Sequence, residues 1–276
     1  SIQVENARIK CWKAGGHGHQ TYLQVVENSC NPGFVTLGQR LGKEKLFSYI
    51  RNFGFGSKTG IDLNGEASGI LFNLDKVGPV ELATTAFGQG VSVTPIQQIT
   101  AVSAAINGGN LYKPYVVKRI LEPVTNNVIK ENTPTLVRNV IDSDTSKEVR
   151  RALESVVANG TGRNAYIEGH SVGGKTGTAQ KVNNGAYMIG NYIVSFIGFT
   201  PVSHPEVVVY VAIDYPKGIV QYGGTVAAPV AKSVLTDCIN ILNLEKDDVK
   251  DKNYNWNEVK YEKVPNVVNM TKDEAL

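Results

Sequence analysis

The chain has 276 residues, of which 42% are hydrophobic, and its 28 basic and 25 acidic side chains leave a net charge of +3. That is enough apolar content for one large packed domain or two small ones, and too little positive charge for a chain whose main partner is nucleic acid. Three cysteines, Cys11, Cys30 and Cys238, exclude a disulfide-dense scaffold, and no continuous run of about 18 apolar residues marks a membrane span.

The opening SIQVENARIK has neither a start Met nor the apolar core of a signal peptide, so any signal or anchor is expected upstream. Residues 20–52 predict helices. Leu23, Val26 and Cys30 share one face, Leu41, Leu46 and Ile50 suggest further segments, and Asn31-Pro32-Gly33 breaks the first. Residues 53–80 are Gly-rich and irregular. Thr94 then caps a helix to Ile106, with Pro95 in its first position and Ile96, Ile99, Val102 and Ile106 as the buried stripe. Extended pieces occupy 111–131. Thr145-Ser146-Lys147-Glu148 has the capping-box pattern and opens a helix carrying Val149, Leu153, Val156 and Val157.

After Gly160-Thr161-Gly162 the composition turns to Val, Ile, Tyr and Phe. TAQKV, NYIVSFIGFTP and EVVVYVAIDYP predict three consecutive strands in an antiparallel meander. A last helix runs from Ala227 to Leu242 with Pro229 in its first turn, and Cys238 reads as a core residue. His170 reads as a solvated strand end and His204 as an exposed turn residue. The first domain therefore spans 1–244. Residues 245–263 have the composition of a charged linker, and 264–276 begin a further module too short to fold alone.

Lys-Thr-Gly occurs twice, in GSKTGIDL (56–63) and in GGKTGTAQ (173–180). Three residues recur by chance, so the surroundings decide. Lys58 lies in the Gly-rich irregular stretch and reads as an exposed turn residue. Lys175 follows Gly173-Gly174 and enters a predicted strand. Small neighbours there let another molecule approach the strand edge. An ammonium at that point is a fixed positive charge for a carboxylate, and edge N–H groups can serve as oxyanion donors. Ser29-Cys30-Asn31 places a hydroxyl and an amide two residues apart at the helix break. Alone it reads as an ordinary helix end. With the later Lys-Thr-Gly it supplies the two elements that accompany a Ser-x-x-Lys nucleophile in penicillin-binding proteins and β-lactamases.

Four stretches carry a closer resemblance: IKCWKAGGHGHQTYLQVVENSCNPGF, FGFGSKTGIDLNGE, ATTAFGQGVSVTPIQQITAVSAAINGG and GGKTGTAQK. In this order they resemble the transpeptidase domain of class B penicillin-binding proteins, most closely the sporulation type, over nearly residues 8–243. VPNVVNMTKDEAL resembles the start of a PASTA module. The resemblance implies an α/β (α+β) fold of the penicillin-binding-protein and serine β-lactamase type, with a mostly antiparallel five-stranded sheet flanked by helices. It implies acyl transfer from peptidoglycan stem peptides ending in D-Ala-D-Ala, through a serine acyl-enzyme, for spore cortex synthesis. β-Lactams would acylate the same serine. No cofactor is needed for that chemistry.

On this reading Ser29 relays a proton to the leaving amine, and Asn31 bonds the substrate amide and the nucleophile's partner Lys. Lys175 sets the field for the terminal carboxylate. Thr176 and Thr178 touch that carboxylate across Gly177, and the Thr178 N–H donates to the oxyanion. The first Lys-Thr-Gly is a structural signature in the family. A glycosyltransferase partner and a site on the outer face of the cytoplasmic or forespore membrane, held by an anchor outside this chain, are implied in the same way. No serine has a Lys three residues later, so the nucleophile is expected upstream. A catalytically inactive cell-wall scaffold that lost it stays open as the alternative, ahead of a β-lactamase or a β-lactam sensor.

Cys11, His17, His19 and Cys30 crowd into one short stretch at a spacing that is not a zinc-finger pattern. Two readings fit. One is a pair of packed cysteines with loop histidines; the other is a structural zinc bound by these four, or by some of them and an upstream carboxylate, bracing the helix end that bears Ser29 and Asn31.

Overall fold

In the computed structural model, which describes residues 1–183 and 186–247, the chain opens with an antiparallel ribbon of β1 (Ile2–Val4) and β2 (Ala7–Ile9). Helices α1 (Tyr22–Glu27), α2 (Asn31–Leu41) and α3 (Lys43–Asn52) follow. The helical run thus divides at Asn31-Pro32-Gly33, but these residues start α2 rather than trail α1. Pro32 suits that first turn because the N–H it lacks would have no partner there. Residues 53–78 are largely irregular, ahead of α4 (Pro79–Ala86) and α5 (Pro95–Ile106). Thr94 caps α5 by accepting from the Gln97 N–H, while the Gln97 side chain accepts from Thr94 N–H.

The buried face of α5 differs from the apolar stripe read in the sequence. Gln97, Ala101, Ala104 and Ile106 are buried, whereas Ile96, Ile99 and Val102 are only half-buried. Gln97 sits inside because its amide donates to the carbonyls of Ser57 (2.7 Å) and Ser68 (2.8 Å) and so pins the irregular stretch. Strands β3 (Asn110–Lys113), β4 (Arg119–Leu121), β5 (Val128–Glu131) and β6 (Thr135–Asn139) pair as β3–β6 and β4–β5. Helix α6 (Ser143–Asn159) starts before the expected capping box. Asp142 is its cap, accepting from Thr145 N–H, and a carboxylate also suits the positive end of the helix. Ser146 is buried instead and donates to the Ala105 carbonyl.

The main sheet is the expected meander of β7 (Gly173–Asn183), β8 (Ala186–Thr200) and β9 (Val207–Asp214). It has three strands among the described residues, not the five the resemblance implied. The other strands pair off in three separate two-stranded ribbons, which leaves one edge of β7 without a strand partner. The sheet is covered on both sides, as the near-continuous apolar runs of β8 and β9 require. Val207, Val209, Val211 and Ile213 pack with α7 (Gly223–Leu242), while Phe199 and Val208 pack with Ile106, Val149 and Leu153 of α5 and α6. Helix α7 begins earlier than expected, so Pro229 lies inside it. Its length and composition would suit a membrane span, but Ala227, Ala228, Ala231, Leu235 and Ile239 are buried in the core cluster.

Several single residues also differ from expectation. His170 is 9% exposed rather than solvated, and Cys238 is half-buried. At the end of the described residues, Leu244 packs against the core cluster and Asp247 accepts from Ser171 N–H and from its hydroxyl. The rest of the charged linker and the PASTA-like start lie outside the described residues.

Gln97 is 1% exposed. Truncating it leaves two carbonyls and an N–H without partners, at roughly 1–3 kcal/mol for each buried group that stays unsatisfied. Gln97→Ala is expected to lower the urea midpoint of unfolding by an amount equivalent to several kcal/mol, with the far-ultraviolet circular dichroism of the folded state unchanged. A midpoint equal to wild type would mean that the irregular stretch is held by other contacts.

Candidate active site

Helix α1 ends in a Schellman turn: Cys30 N–H donates to the Val25 carbonyl at 3.1 Å and Ser29 N–H to the Val26 carbonyl at 3.2 Å. The residue at the left-handed position of such a turn is usually Gly. Here it is Ser29, at φ +50°. A side chain in that conformation costs about 1–2 kcal/mol, and the return is the position of its hydroxyl. Lys175 of β7 reaches across to it, Nζ to Oγ at 2.7 Å, over 146 residues of sequence. The same ammonium donates to its neighbour's carbonyl, Thr176 O, at 3.0 Å. Loss of hydration lowers the Lys175 pKa from 10.5 to about 8.

A second tie runs beneath this contact. Thr161 N–H donates to the Glu27 carbonyl at 3.0 Å, and Thr161 Oγ1 donates to the same oxygen at 3.2 Å. Thr161 Oγ1 lies 2.9 Å from Thr176 Oγ1. With the Thr161 proton on Glu27 O, Thr176 must be the donor, so its hydroxyl proton is committed to Thr161 and not to an approaching carboxylate. The Glu27 side chain is buried and accepts from Ser155 Oγ of α6. A Cβ at Gly160 would lie 2.3 Å from the Glu27 carbonyl, so only glycine allows this approach. The sequence marks Gly160-Thr161-Gly162 as a break between elements. It does not signal Thr161 as the joint between α1 and β7.

Thr178 is exposed on the same strand, and its Oγ1 accepts from Gly223 N–H at 3.2 Å. That bond occupies a lone pair and leaves the hydroxyl proton available. Gly223 begins α7, and a Cβ there would sit 2.3 Å from the Ser195 carbonyl and 2.4 Å from the Gly177 carbonyl. The missing Cβ at Gly223 therefore lets the helix end press onto the strand. Two exposed aromatics stand together next to these residues. Trp12 donates from its indole to the Asn28 carbonyl (2.8 Å), and its ring lies 6.0 Å from that of Tyr222, the residue before Gly223. Asn31 is beside Ser29 in sequence, but its amide donates outward to the Lys10 carbonyl at 3.3 Å.

The first Lys-Thr-Gly forms a structural turn. Thr59 and Gly60 donate their N–H groups to the Glu66 carboxylate at 2.6 and 3.0 Å. Lys58 and Thr59 line a cleft of about 690 Å³ with Arg51, Gln97, Tyr112 and Arg138, which contains none of Ser29, Lys175 or Thr178. Charge and hydroxyls converge instead at the Ser29–Lys175 contact. Beside it, the ligand atoms of Cys11, His17 and Cys30 lie within 4.8 Å of one another, with His19 outside the group. Cys11 Sγ and His17 Nδ1 are 3.1 Å apart. Burial raises the Cys11 pKa; burial and then the Lys13 charge lower that of His17.

The family described as "Penicillin binding protein transpeptidase domain" matches residues 1–236. The chain is 62% identical to stage V sporulation protein D of Bacillus subtilis (strain 168), covering 98% of this chain and 42% of that protein. It is 34% identical to the probable peptidoglycan D,D-transpeptidase PenA of Neisseria meningitidis (serogroup A), covering 80% of this chain and 36% of that protein. The chain thus spans well under half the length of these curated relatives. Among solved structures, apo penicillin-binding protein 3 of Mycobacterium tuberculosis superposes with a TM-score of 0.80 at 28% identity, over 89% of this chain and 57% of that one. Its ampicillin complex gives 0.77 at 29% identity, over 84% and 53%.

The lowered pKa of Lys175 fixes the sign of a pH effect. Between about 8 and 10.5 the unfolded chain holds a proton that the folded chain has released. Through this group, stability therefore rises with pH across that window, and below it the poorly hydrated charge is a cost. Urea unfolding of wild type and Lys175→Met over pH 7 to 10.5 is expected to show wild type gaining on the variant as pH rises through 8. Parallel curves would mean that Lys175 keeps its ordinary pKa.

Proposed function

The chain belongs to the penicillin-binding protein transpeptidase family, and from that premise we propose that it forms the substrate-binding wall of a peptidoglycan D,D-transpeptidase. The observation that carries the reading is the 2.7 Å contact of Lys175 Nζ with Ser29 Oγ. It puts a cation and a hydroxyl relay at an open strand edge. A stem peptide ending in D-Ala-D-Ala lies extended along the free edge of β7, where backbone groups can pair with it as a further strand. Its terminal carboxylate meets the Lys175 ammonium and the free hydroxyl proton of Thr178.

The attacking serine and its base come from a part of the protein outside these residues, since no serine here precedes a Lys by three. That serine attacks the penultimate carbonyl, and the developing oxyanion takes hydrogen bonds from edge N–H groups, that of Thr178 among them. The C–N bond breaks and D-Ala leaves as an amine, receiving a proton through Ser29. An amine of a neighbouring stem peptide then takes the acyl group and frees the serine. A β-lactam enters by the same contacts, its carboxylate on Lys175 and Thr178, and the opened ring stays attached to the serine.

The 62% identity with stage V sporulation protein D supports spore cortex synthesis as the setting. The proposal extends, on the family resemblance alone, to an enzyme anchored on the outer face of the cytoplasmic or forespore membrane and working beside a glycosyltransferase.

The test uses the full-length protein and fluorescent penicillin. Wild type is expected to label covalently on a serine outside this chain. Ser29→Ala and Lys175→Ala should each slow acylation on the order of 100-fold, the scale of losing one preorganised donor. Thr59→Ala, in the first Lys-Thr-Gly, should not. A wild-type protein that folds but takes no label at any dose would instead be a scaffold.

A further inference from the structure

We propose that the cleft beside the first Lys-Thr-Gly binds a diphosphate group, at a site separate from the Ser29–Lys175 pair. Its walls come from the end of α3 and the loop after it, from α5, and from the β3–β6 ribbon. Arg51, Lys58 and Arg138 all line it, and no Asp or Glu does. The three cations are exposed, and none forms an ion pair among the described residues. Arg51 lies over the Phe47 ring at 5.9 Å, which orients its guanidinium without neutralising it. Glu66 feels the Lys58 charge, but its oxygens accept from Thr59 N–H, the Thr59 hydroxyl and Gly60 N–H. The whole chain has a net charge of only +3, so three cations with no lining carboxylate are a local concentration of charge. A cleft of one sign focuses its field and gathers ions of the other.

The cleft is held open by the protein's own bonds. Gln97 donates to the carbonyls of Ser57 and Ser68, so the loop is tied to α5 at two points. Ile70 and Ser92 exchange backbone hydrogen bonds at 2.8 and 2.9 Å, which fixes the far side of the loop. Polar groups on these walls are left unclaimed. Thr100 Oγ1 is buried and has no hydrogen-bond partner among the described residues. The N–H groups of Ser57 and Lys58 also donate to nothing among them. A buried polar atom without a partner costs stability, and a ligand that reaches it removes that cost.

The donor set chooses the ligand. Guanidinium groups present paired N–H donors that match the oxygens of a phosphate or a carboxylate. A single carboxylate would leave two of the three cations unmatched. A diphosphate carries about two to three negative charges near neutral pH, and its oxygens can be shared among cations on different walls. The volume of about 690 Å³ lies within the roughly 300–1,000 Å³ of small-ligand sites, and leaves room for the group that bears the diphosphate. Aromatic rings complete the lining. Phe53, Phe55 and Phe72 are half-buried and Tyr112 is exposed, so the attached group is one that packs on ring faces, such as a sugar or an apolar chain. A soluble nucleoside diphosphate sugar and a lipid diphosphate both present that chemistry.

The test is calorimetric titration of the full-length protein with inorganic pyrophosphate at low ionic strength. One site per chain is expected, weakening as salt is added, with acetate bound at least about tenfold more weakly. Arg51→Gln, Lys58→Gln and Arg138→Gln should each weaken pyrophosphate about tenfold, the scale of one charge-assisted hydrogen bond. Lys232→Gln, which removes an exposed cation of α7, should not. Competition against pyrophosphate by uridine diphosphate glucose, or by farnesyl diphosphate carried in phosphatidylcholine vesicles, supports the site and tells the soluble source from the lipid one. Where circular dichroism shows that a variant has not folded, wild type decides: pyrophosphate should shield Lys58, and not Lys232, from chemical acetylation read by mass spectrometry. No pyrophosphate binding, affinity equal to that for acetate, or affinity unchanged in all three variants would each overturn the proposal. The cleft shares no residue with the Ser29–Lys175 pair, so this result and penicillin labelling fail independently.

Discussion

The contact between the Lys175 ammonium and the Ser29 hydroxyl is the constraint around which this domain is arranged. Neither partner is comfortable. Lys175 loses enough hydration to bring its pKa to about 8, and Ser29 occupies a backbone region that favours glycine. Such positions persist only where the surroundings over-determine them. Here the surroundings are the Schellman turn at the end of α1, the Thr161 bridge from the Glu27 carbonyl to Thr176, and the buried Glu27–Ser155 bond to α6. Removing any one would leave the others holding a strained turn against a poorly hydrated charge.

Rigidity in this region comes from close backbone approach rather than large side chains. Gly160 allows the loop after α6 to touch the end of α1, and Gly223 allows the start of α7 to touch Gly177 and Ser195. The heavier packing lies behind, where Phe196 and Phe199 are fully buried in the two clusters that flank the sheet. Lys175 and Thr178 thus sit on a strand backed by a close-packed core, which holds them in place better than a loop would. The strand that carries Lys175 keeps an edge without a strand partner among the described residues, and the aromatic pair Trp12–Tyr222 stands beside it.

The loop from Cys11 to His17 belongs to the same arrangement from outside. Its hydrogen bonds reach the chain on either side of Cys30, so whatever stiffens that loop stiffens the Ser29 turn. The first Lys-Thr-Gly serves a different purpose. Its backbone N–H groups close on Glu66, and the cleft beside it has no residue in common with the Ser29–Lys175 pair.

Local patterns in the sequence reach far into this structure. The meander of β7, β8 and β9 follows from runs rich in β-branched and aromatic residues separated by turn residues, and α5 follows from Thr94-Pro95. Preferring Lys175 over Lys58 followed from the glycines before it and the strand after it. What the sequence misjudged depends on neighbours remote in the chain. Gln97 is buried because two carbonyls of a loop need its amide; His170 is buried although polar; α7 starts at Gly223 because a strand lies underneath it. The start of α6, by contrast, is a local matter, where the Asp142 carboxylate caps the helix ahead of the expected box. Composition and spacing alone determined the residue types and the order of the elements, because these depend on contacts a few residues apart. Only the tertiary structure decided that Ser29 meets Lys175, that Thr161 joins them, and that His17 rather than His19 faces the two cysteines. Each of those is a meeting of side chains across separate elements, and no local periodicity encodes it.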